Sequence, residues 1–233
     1  MKVNIWSDIR CPFCFVGKKK FEKALAQFPH AAEVEVEWHS FQLDPSLKTR
    51  EDENFYDYFG KSKGVSRAQT DQMFSHVRNA GKEVDIEFDF ENQKVANSLK
   101  GHILIQLAKT KNKSSEIEEA LFKAQLVEGK NIDNVTVLTE IAETHGITAE
   151  ELTAALNSDE MAYLVNQDMQ MAAKLGINAV PFFVFNDKYG ASGAQQPELF
   201  LEILEKAWAE YKAGDKGLQI IEGDACDTDG NCN

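Results

Sequence analysis

Cys11-Pro12-Phe13-Cys14 stands between an apolar run (Val3, Ile5, Trp6) and an amphipathic segment carrying Phe21, Ala24, Leu25 and Phe28. A short strand that turns into a helix through C-x-x-C brings two sulfurs to a helix start, and this constrains the chain more than any other feature in it. Proline is favoured at the first position inside a helix, so Cys11 is expected as the N-cap and Cys14 as the third helical residue. The free backbone N–H groups of that first turn, the one on Cys14 among them, would then face the Cys11 sulfur and favour its thiolate. Cys11 is therefore read as the nucleophile. Cys14, further into the helix and less exposed, can attack a mixed disulfide on Cys11 and release the substrate, which makes it the resolving thiol. The competing reading is half of a zinc site. Structural zinc takes four ligands, and the remaining cysteines, Cys226 and Cys232, lie at the far end of the chain.

A chain of 233 residues with 43% hydrophobic content can bury a sizeable core. Its net charge of −13 opposes a nucleic-acid backbone and an anionic membrane surface, so neither is expected as a partner. Residues 1–8 hold no apolar run of signal-peptide length, and no stretch reaches the roughly 18 apolar residues of a membrane span. The expected compartment is the cytoplasm. Thiols are kept reduced there, so four cysteines grouped as two close pairs point to redox or metal chemistry more than to a structural disulfide framework.

Val3 to Ser7 reads as a strand, 12–28 as a helix and 34–38 as a second strand of period two, together a βαβ unit. Asp8, just before the site, is read as an acceptor for loop amides, with assistance to proton transfer as the alternative role. From about residue 50 to 175 the pattern is helical, with segments at 52–60, 66–80, 93–110, 114–128, 133–145, 149–156 and 159–175. His76, His102 and His145 fall in this block without metal-ligand spacing and are read as structural or exposed. Strand-type sequence resumes at Phe182 to Phe185, turns at Asn186 to Lys188 and returns to Ser192 as a hairpin. A last helix opens at Pro197, its apolar residues Phe200, Ile203, Leu204, Ala207 and Trp208 at helical spacing.

With Cys11 to Cys14, Gly17, Phe41 to Pro45, Asn97-Ser98 with His102, Val180-Pro181-Phe182-Phe183 and Ser192 to Gln195 in place, the chain resembles a DsbA-family protein, nearest the FrnE-like branch. The resemblance implies an α/β thioredoxin-like fold (βαβ then ββα) interrupted by a large all-helical insertion. The corresponding divisions are 1–45 and 176–213 for the two parts of the thioredoxin-like domain, 46–175 for the insertion and 214–233 for a C-terminal tail. It also implies a cis-proline loop at Val180-Pro181 facing Cys11. There Val180 could pair with an extended substrate segment, while Pro12 and Phe13 offer contacts at the rim.

The activity so implied is thiol–disulfide exchange or disulfide isomerisation on disulfide- or thiol-bearing proteins. No cofactor is expected beyond the redox-active disulfide; glutathione or a thioredoxin-type protein would serve as reductant. Many DsbA oxidases have His between the cysteines, where this chain has Phe13, so reduction or isomerisation stands beside oxidation. Two other readings stay open. One is a glutathione-dependent transferase or isomerase of the same fold, although related branches of that type use Ser where Cys11 stands. The other is a chaperone-like binding protein with incidental cysteines.

Cys226 and Cys232 close a polar, Gly- and Asp-rich tail that is expected to be mobile. The resemblance to FrnE-like proteins favours reading them as a second dithiol exchanging electrons with Cys11 and Cys14 or with an external reductant, against a passive local clip.

Overall fold

A computed structural model of the protein describes residues 1–213 and the backbone of residues 219–221 and 226–227. The chain opens with β1 (Lys2–Ser7), α1 (Pro12–Leu25) and β2 (Glu35–Ser40). Seven helices follow: α2 (Phe55–Lys63), α3 (Arg67–Lys82), α4 (Leu99–Lys109), α5 (Ser114–Leu126), α6 (Val135–Thr144), α7 (Ala149–Leu156) and α8 (Asp159–Lys174). Then come β3 (Ala179–Val180), β4 (Phe182–Phe185), β5 (Tyr189–Ser192) and α9 (Pro197–Ala213), with β6 (Gln219–Ile221) and β7 (Cys226–Asp227) in the tail. The principal sheet runs β2-β1-β4-β5-β6, with β1 parallel to β2 and antiparallel to β4. This is a thioredoxin-like α/β fold carrying a helical insertion.

Alternation along the strands divides the core. Val3, Ile5, Phe183 and Phe185 face α1 and α9, where the Phe21 ring meets Phe183, Phe185 and Phe200 at centroid distances of 5.6, 6.0 and 5.7 Å. Trp6, Phe182 and Val184 face the other way, toward the side shared with Cys11, Phe13 and the α3 residues Phe74 and Val77. Each such fully buried ring or branched side chain contributes about 1.5–3 kcal/mol.

The insertion is fastened to the sheet by polar as well as apolar contacts. His39 Nδ1 lies 2.7 Å from Asp168 Oδ1, the Ser40 amide donates to Asp168 Oδ2 at 2.8 Å, and Trp6 Nε1 donates to the Asp168 carbonyl at 3.1 Å. On the opposite side, α1 is clamped to α5. Lys19 and Lys123 each lie 2.7 Å from Glu119, and the buried Lys18 amine reaches Ser115 Oγ at 3.0 Å.

Three expectations change. The first helix stops at Leu25 and not near 28, because Pro29 bars the residue before it from helical geometry. The segment 93–98 is not helical. Arg50 N donates to Val95 O at 2.8 Å and Asn97 Nδ2 to Leu47 O at 2.7 Å, so this stretch is held extended against residues 45–50 and α4 begins only at Leu99. The tail is not featureless: β6 extends the sheet parallel to β5, its Ile220 and Ile221 being residues suited to a strand, and β7 pairs antiparallel with β3.

Candidate active site

The turn from β1 into α1 builds the site. Cys11 is the N-cap (φ −88°, ψ 113°) and Pro12 the first helical residue, which puts Cys14 third. Cys11 N donates to Asp8 O at 2.9 Å and Cys14 N to Cys11 O at 3.0 Å. The Cys14 amide is thus spent on the Cys11 carbonyl, and the Cys11 side chain makes no capping bond. The sulfur points elsewhere: Cys11 Sγ lies 3.6 Å from the carbonyl oxygen of Val180, to which its thiol donates. Both cysteines are buried free thiols.

Val180 precedes Pro181, and the peptide bond between them is cis. The Gly193 amide donates to Pro181 O at 2.8 Å, which ties the loop to the Ser192-Gly193-Ala194-Gln195 turn. Gly17 lets α1 approach this loop, since a Cβ there would stand 2.9 Å from Pro181 Cγ. Gly101 does the same for α4, where a Cβ would stand 2.6 Å from Ile9 Cδ1 beside the active-site turn.

Phe13 departs from its expected place at the rim. It is 1% exposed, and its ring packs 5.9 Å from that of His76, because the first turn of α1 faces α3 and not solvent. Pro12 remains half-buried and lines a cavity of about 830 Å³ together with Cys11. The far wall is aromatic, formed by Phe55, Tyr58 and Phe59 of α2 and Phe74 of α3, with Arg10 and Lys63 adding positive charge. The i, i+3, i+4 spacing of Phe55, Tyr58 and Phe59 marked one helix face in the sequence, but nothing there tied that face to Cys11.

Behind the thiols lies a buried polar layer. Asp8 Oδ1 accepts from Arg10 N at 3.1 Å and Oδ2 from Leu43 N at 2.8 Å, the amide-accepting role expected of it. His102 Nε2 stands 3.5 Å from Asp8 Oδ1. Burial pushes the Asp8 pKa up, but His102, Arg10 and the Leu43 amide outweigh it and leave the carboxyl below its usual range. Cys14 moves the other way. Burial, and then its neighbour Cys11, push the Cys14 thiol well above the ordinary range, against the opposing pull of the Asp8 amide and the Ser7 hydroxyl. Ser7 Oγ in turn donates to Glu118 Oε1 of α5 at 2.6 Å, and burial raises the pKa of Glu118. Neither Ser7 nor Glu118 was singled out in the sequence, where 111 positions separate them.

The tail meets the site through its backbone. In the β3–β7 pairing Cys226 is the register partner of Val180, the residue whose carbonyl faces Cys11. Cys232 lies outside the described residues.

The family model for the DSBA-like thioredoxin domain matches residues 2–205. The chain belongs to the DsbA-like thioredoxin family. At the family level this assigns thiol–disulfide oxidoreductase chemistry. The chain is similar to a crystal structure described as a probable DsbA oxidoreductase from Streptomyces coelicolor, at 34% identity and TM-score 0.84, covering 100% of this chain and 98% of that one. It is 29% identical over 216 residues to the uncharacterized protein YwbO of Bacillus subtilis, covering 88% of this chain and 94% of that protein. The cytosolic disulfide reductase DsbM of Pseudomonas aeruginosa, also solved with glutathione, shares the DsbA-like fold. Its TM-score is 0.60 at 14% identity, with 92% of this chain and 98% of that one covered. Among the described residues, no helix is long and apolar enough to cross a membrane.

Proposed function

We propose that this DsbA-like protein exchanges dithiols and disulfides with protein substrates, Cys11 attacking and Cys14 resolving. The observation that carries the reading is the 3.6 Å approach of the Cys11 thiol to the backbone of Val180, a residue on a strand edge that pairs with another extended segment. A substrate strand taking the place that β7 holds on that edge would bring its own sulfur to Cys11. Pro12 and Val180-Pro181 are the contacts proposed for that strand. The aromatic cavity beside Cys11 suits an apolar side chain flanking the substrate cysteine.

The pairing of Cys226 with Val180 supports a second proposal, that Cys226 and Cys232 form an auxiliary dithiol working with the first pair. It also accords with the FrnE-like reading. Glutathione is the small reductant we propose, in a reducing cytoplasmic setting. Phe13 supplies no charge between the cysteines, so the reduction potential of the Cys11–Cys14 pair is expected nearer about −270 mV than about −120 mV.

Insulin reduction and refolding of a scrambled disulfide protein test the reading, with Cys11→Ser as the deciding variant. Loss of both activities is expected. Retention of full activity would turn the assignment toward a chaperone-like binding protein.

A further inference from the structure

Two buried glutamines line the cavity beside Cys11, and they differ in their partners. Gln42 donates from Nε2 to Asn97 Oδ1 at 3.2 Å and to Ser98 Oγ at 3.5 Å. Gln93 is 3% exposed, and its Oε1 is buried without a hydrogen-bond partner among the described residues. The backbone that carries it is fixed, since two residues further on Val95 O accepts from Arg50 N at 2.8 Å. Rings form the surroundings. Phe74 meets Phe90 at a centroid distance of 4.4 Å, Phe59 at 4.9 Å and Phe55 at 5.7 Å, and all four line the same cavity as Gln93. Most buried side-chain polar atoms find a partner, and an amide oxygen left unpaired among aromatic rings is unfavourable for the free protein. The terminal torsion of a glutamine is broad, so the amide can turn this oxygen toward a group seated in the cavity it lines.

We propose that this cavity takes a tyrosine side chain of the protein substrate, with the ring among Phe55, Phe59, Phe74 and Phe90 and the hydroxyl paired with the Gln93 amide. The inference rests on the thiol–disulfide reading above and deepens it, because it names the residue near which a substrate cysteine is preferred. A phenol joins the two properties of the cavity: an aromatic face that packs against other rings, and one hydroxyl at the end of the ring axis. That hydroxyl can donate to Gln93 Oε1 or accept from Nε2, so it satisfies the amide in either orientation. Phenylalanine would make the ring contacts and leave Gln93 unpaired. An aliphatic side chain would forgo both. The volume of about 830 Å³ has room for a ring together with the peptide backbone that carries it. Cys11 and Pro12 lie on the same cavity, which places a seated tyrosine close to the sulfur under attack. Gln93 is thereby assigned as a specificity-determining residue: it acts on which disulfide is bound and takes no part in the exchange of sulfurs.

Internal competition among short peptides tests this on the reduced full-length protein. Each peptide carries one cysteine, capped as its mixed disulfide with cysteamine, and one test residue placed one or two positions before or after that cysteine. The test residues are tyrosine, phenylalanine and 4-methylphenylalanine, the last of nearly tyrosine's size and without the hydroxyl. Acid quench and mass analysis of the peptide thiols released from a mixture give the ratios of kcat/KM directly. With the native protein, tyrosine should be preferred over both analogues by about tenfold or more at its favoured position, because a site that pairs with a hydroxyl rejects the analogue that lacks it. In Gln93→Leu the tyrosine preference should fall to within about twofold of unity, the signature of a direct coupling between residue 93 and the hydroxyl. Equal reaction of tyrosine and 4-methylphenylalanine at every position overturns the proposal. So does a tyrosine preference that survives in Gln93→Leu, or a variant that slows all peptides alike with the ratio unchanged, which marks Gln93 as structural. Should Gln93→Leu fail to fold, the native ratio of tyrosine to 4-methylphenylalanine decides alone. Failure of the native protein to release thiol from any of the peptides would instead remove the thiol–disulfide reading, and this proposal with it.

Discussion

The Cys11 thiol donates to the carbonyl oxygen of Val180 across 3.6 Å, linking residues 169 positions apart. The same Val180 is the register partner of Cys226. One backbone residue therefore faces Cys11 and pairs with the strand that carries Cys226.

Removing the resolving thiol should leave the first attack intact. In Cys14→Ser, disulfide-bearing peptides are expected to accumulate on Cys11 as mixed disulfides approaching one per chain, because the releasing attack is gone. Intact-mass measurement before and after reduction checks this. Failure to recover any adduct would argue against the assigned roles.

Gly17→Ala should destabilise the protein although alanine ordinarily favours a helix interior. The added Cβ would meet Pro181 Cγ at 2.9 Å and Phe183 Cζ at 3.4 Å, both on stiff rings. A loss of about 1–2 kcal/mol is expected, in the range for overpacking, in place of the usual gain of about 0.5–1 kcal/mol. Urea unfolding measures the difference.

Acid should loosen the clamp between α1 and α5. Although burial raises the Glu119 pKa, Lys123, Lys19 and Lys18 outweigh it and hold the carboxyl down at about 2, against an ordinary value of 4.5. A depressed folded-state pKa contributes stability above the unfolded value and loses it as pH falls toward the folded value, here between about 4.5 and about 2. Glu119→Gln should thus be less stable than the native protein at pH 6 by about 0.5–1 kcal/mol, after allowing for solvent screening of a partly exposed cluster. The gap should close as pH drops below about 2. Denaturant unfolding at several pH values follows it.

Cys226→Ser/Cys232→Ser should slow multiple-turnover reduction several-fold while leaving the single-turnover attack by Cys11 unchanged. Stopped-flow mixing compared with steady-state turnover separates the two. Unchanged turnover with glutathione and with a thioredoxin-type reductant would reduce the tail to a passive clip.

What the sequence determined was local. Pro12 after Cys11 set the helix start, the apolar run of Val3, Ile5 and Trp6 marked β1, period-two alternation marked β2, and the apolar run from Phe182 to Phe185 marked β4, because each signal lies within a few residues of the element it specifies. Helix borders that depended on distant partners were not legible. Residues 93–98 carry a helical pattern, yet the loop at 45–50 holds them extended. Phe13 looked like a rim residue until α3 closed over it beside His76. The polar layer behind the thiols belonged wholly to tertiary structure. Ser7, Asp8, His102 and Glu118 come from β1, its following turn, α4 and α5, and no periodicity relates them. They meet because Gly101 allows α4 close to Ile9, and because the acid of α5 loses water only once the insertion is packed against the sheet. Sequence pattern encodes which face of each element is buried; which buried groups end up touching is decided by the packing of those faces.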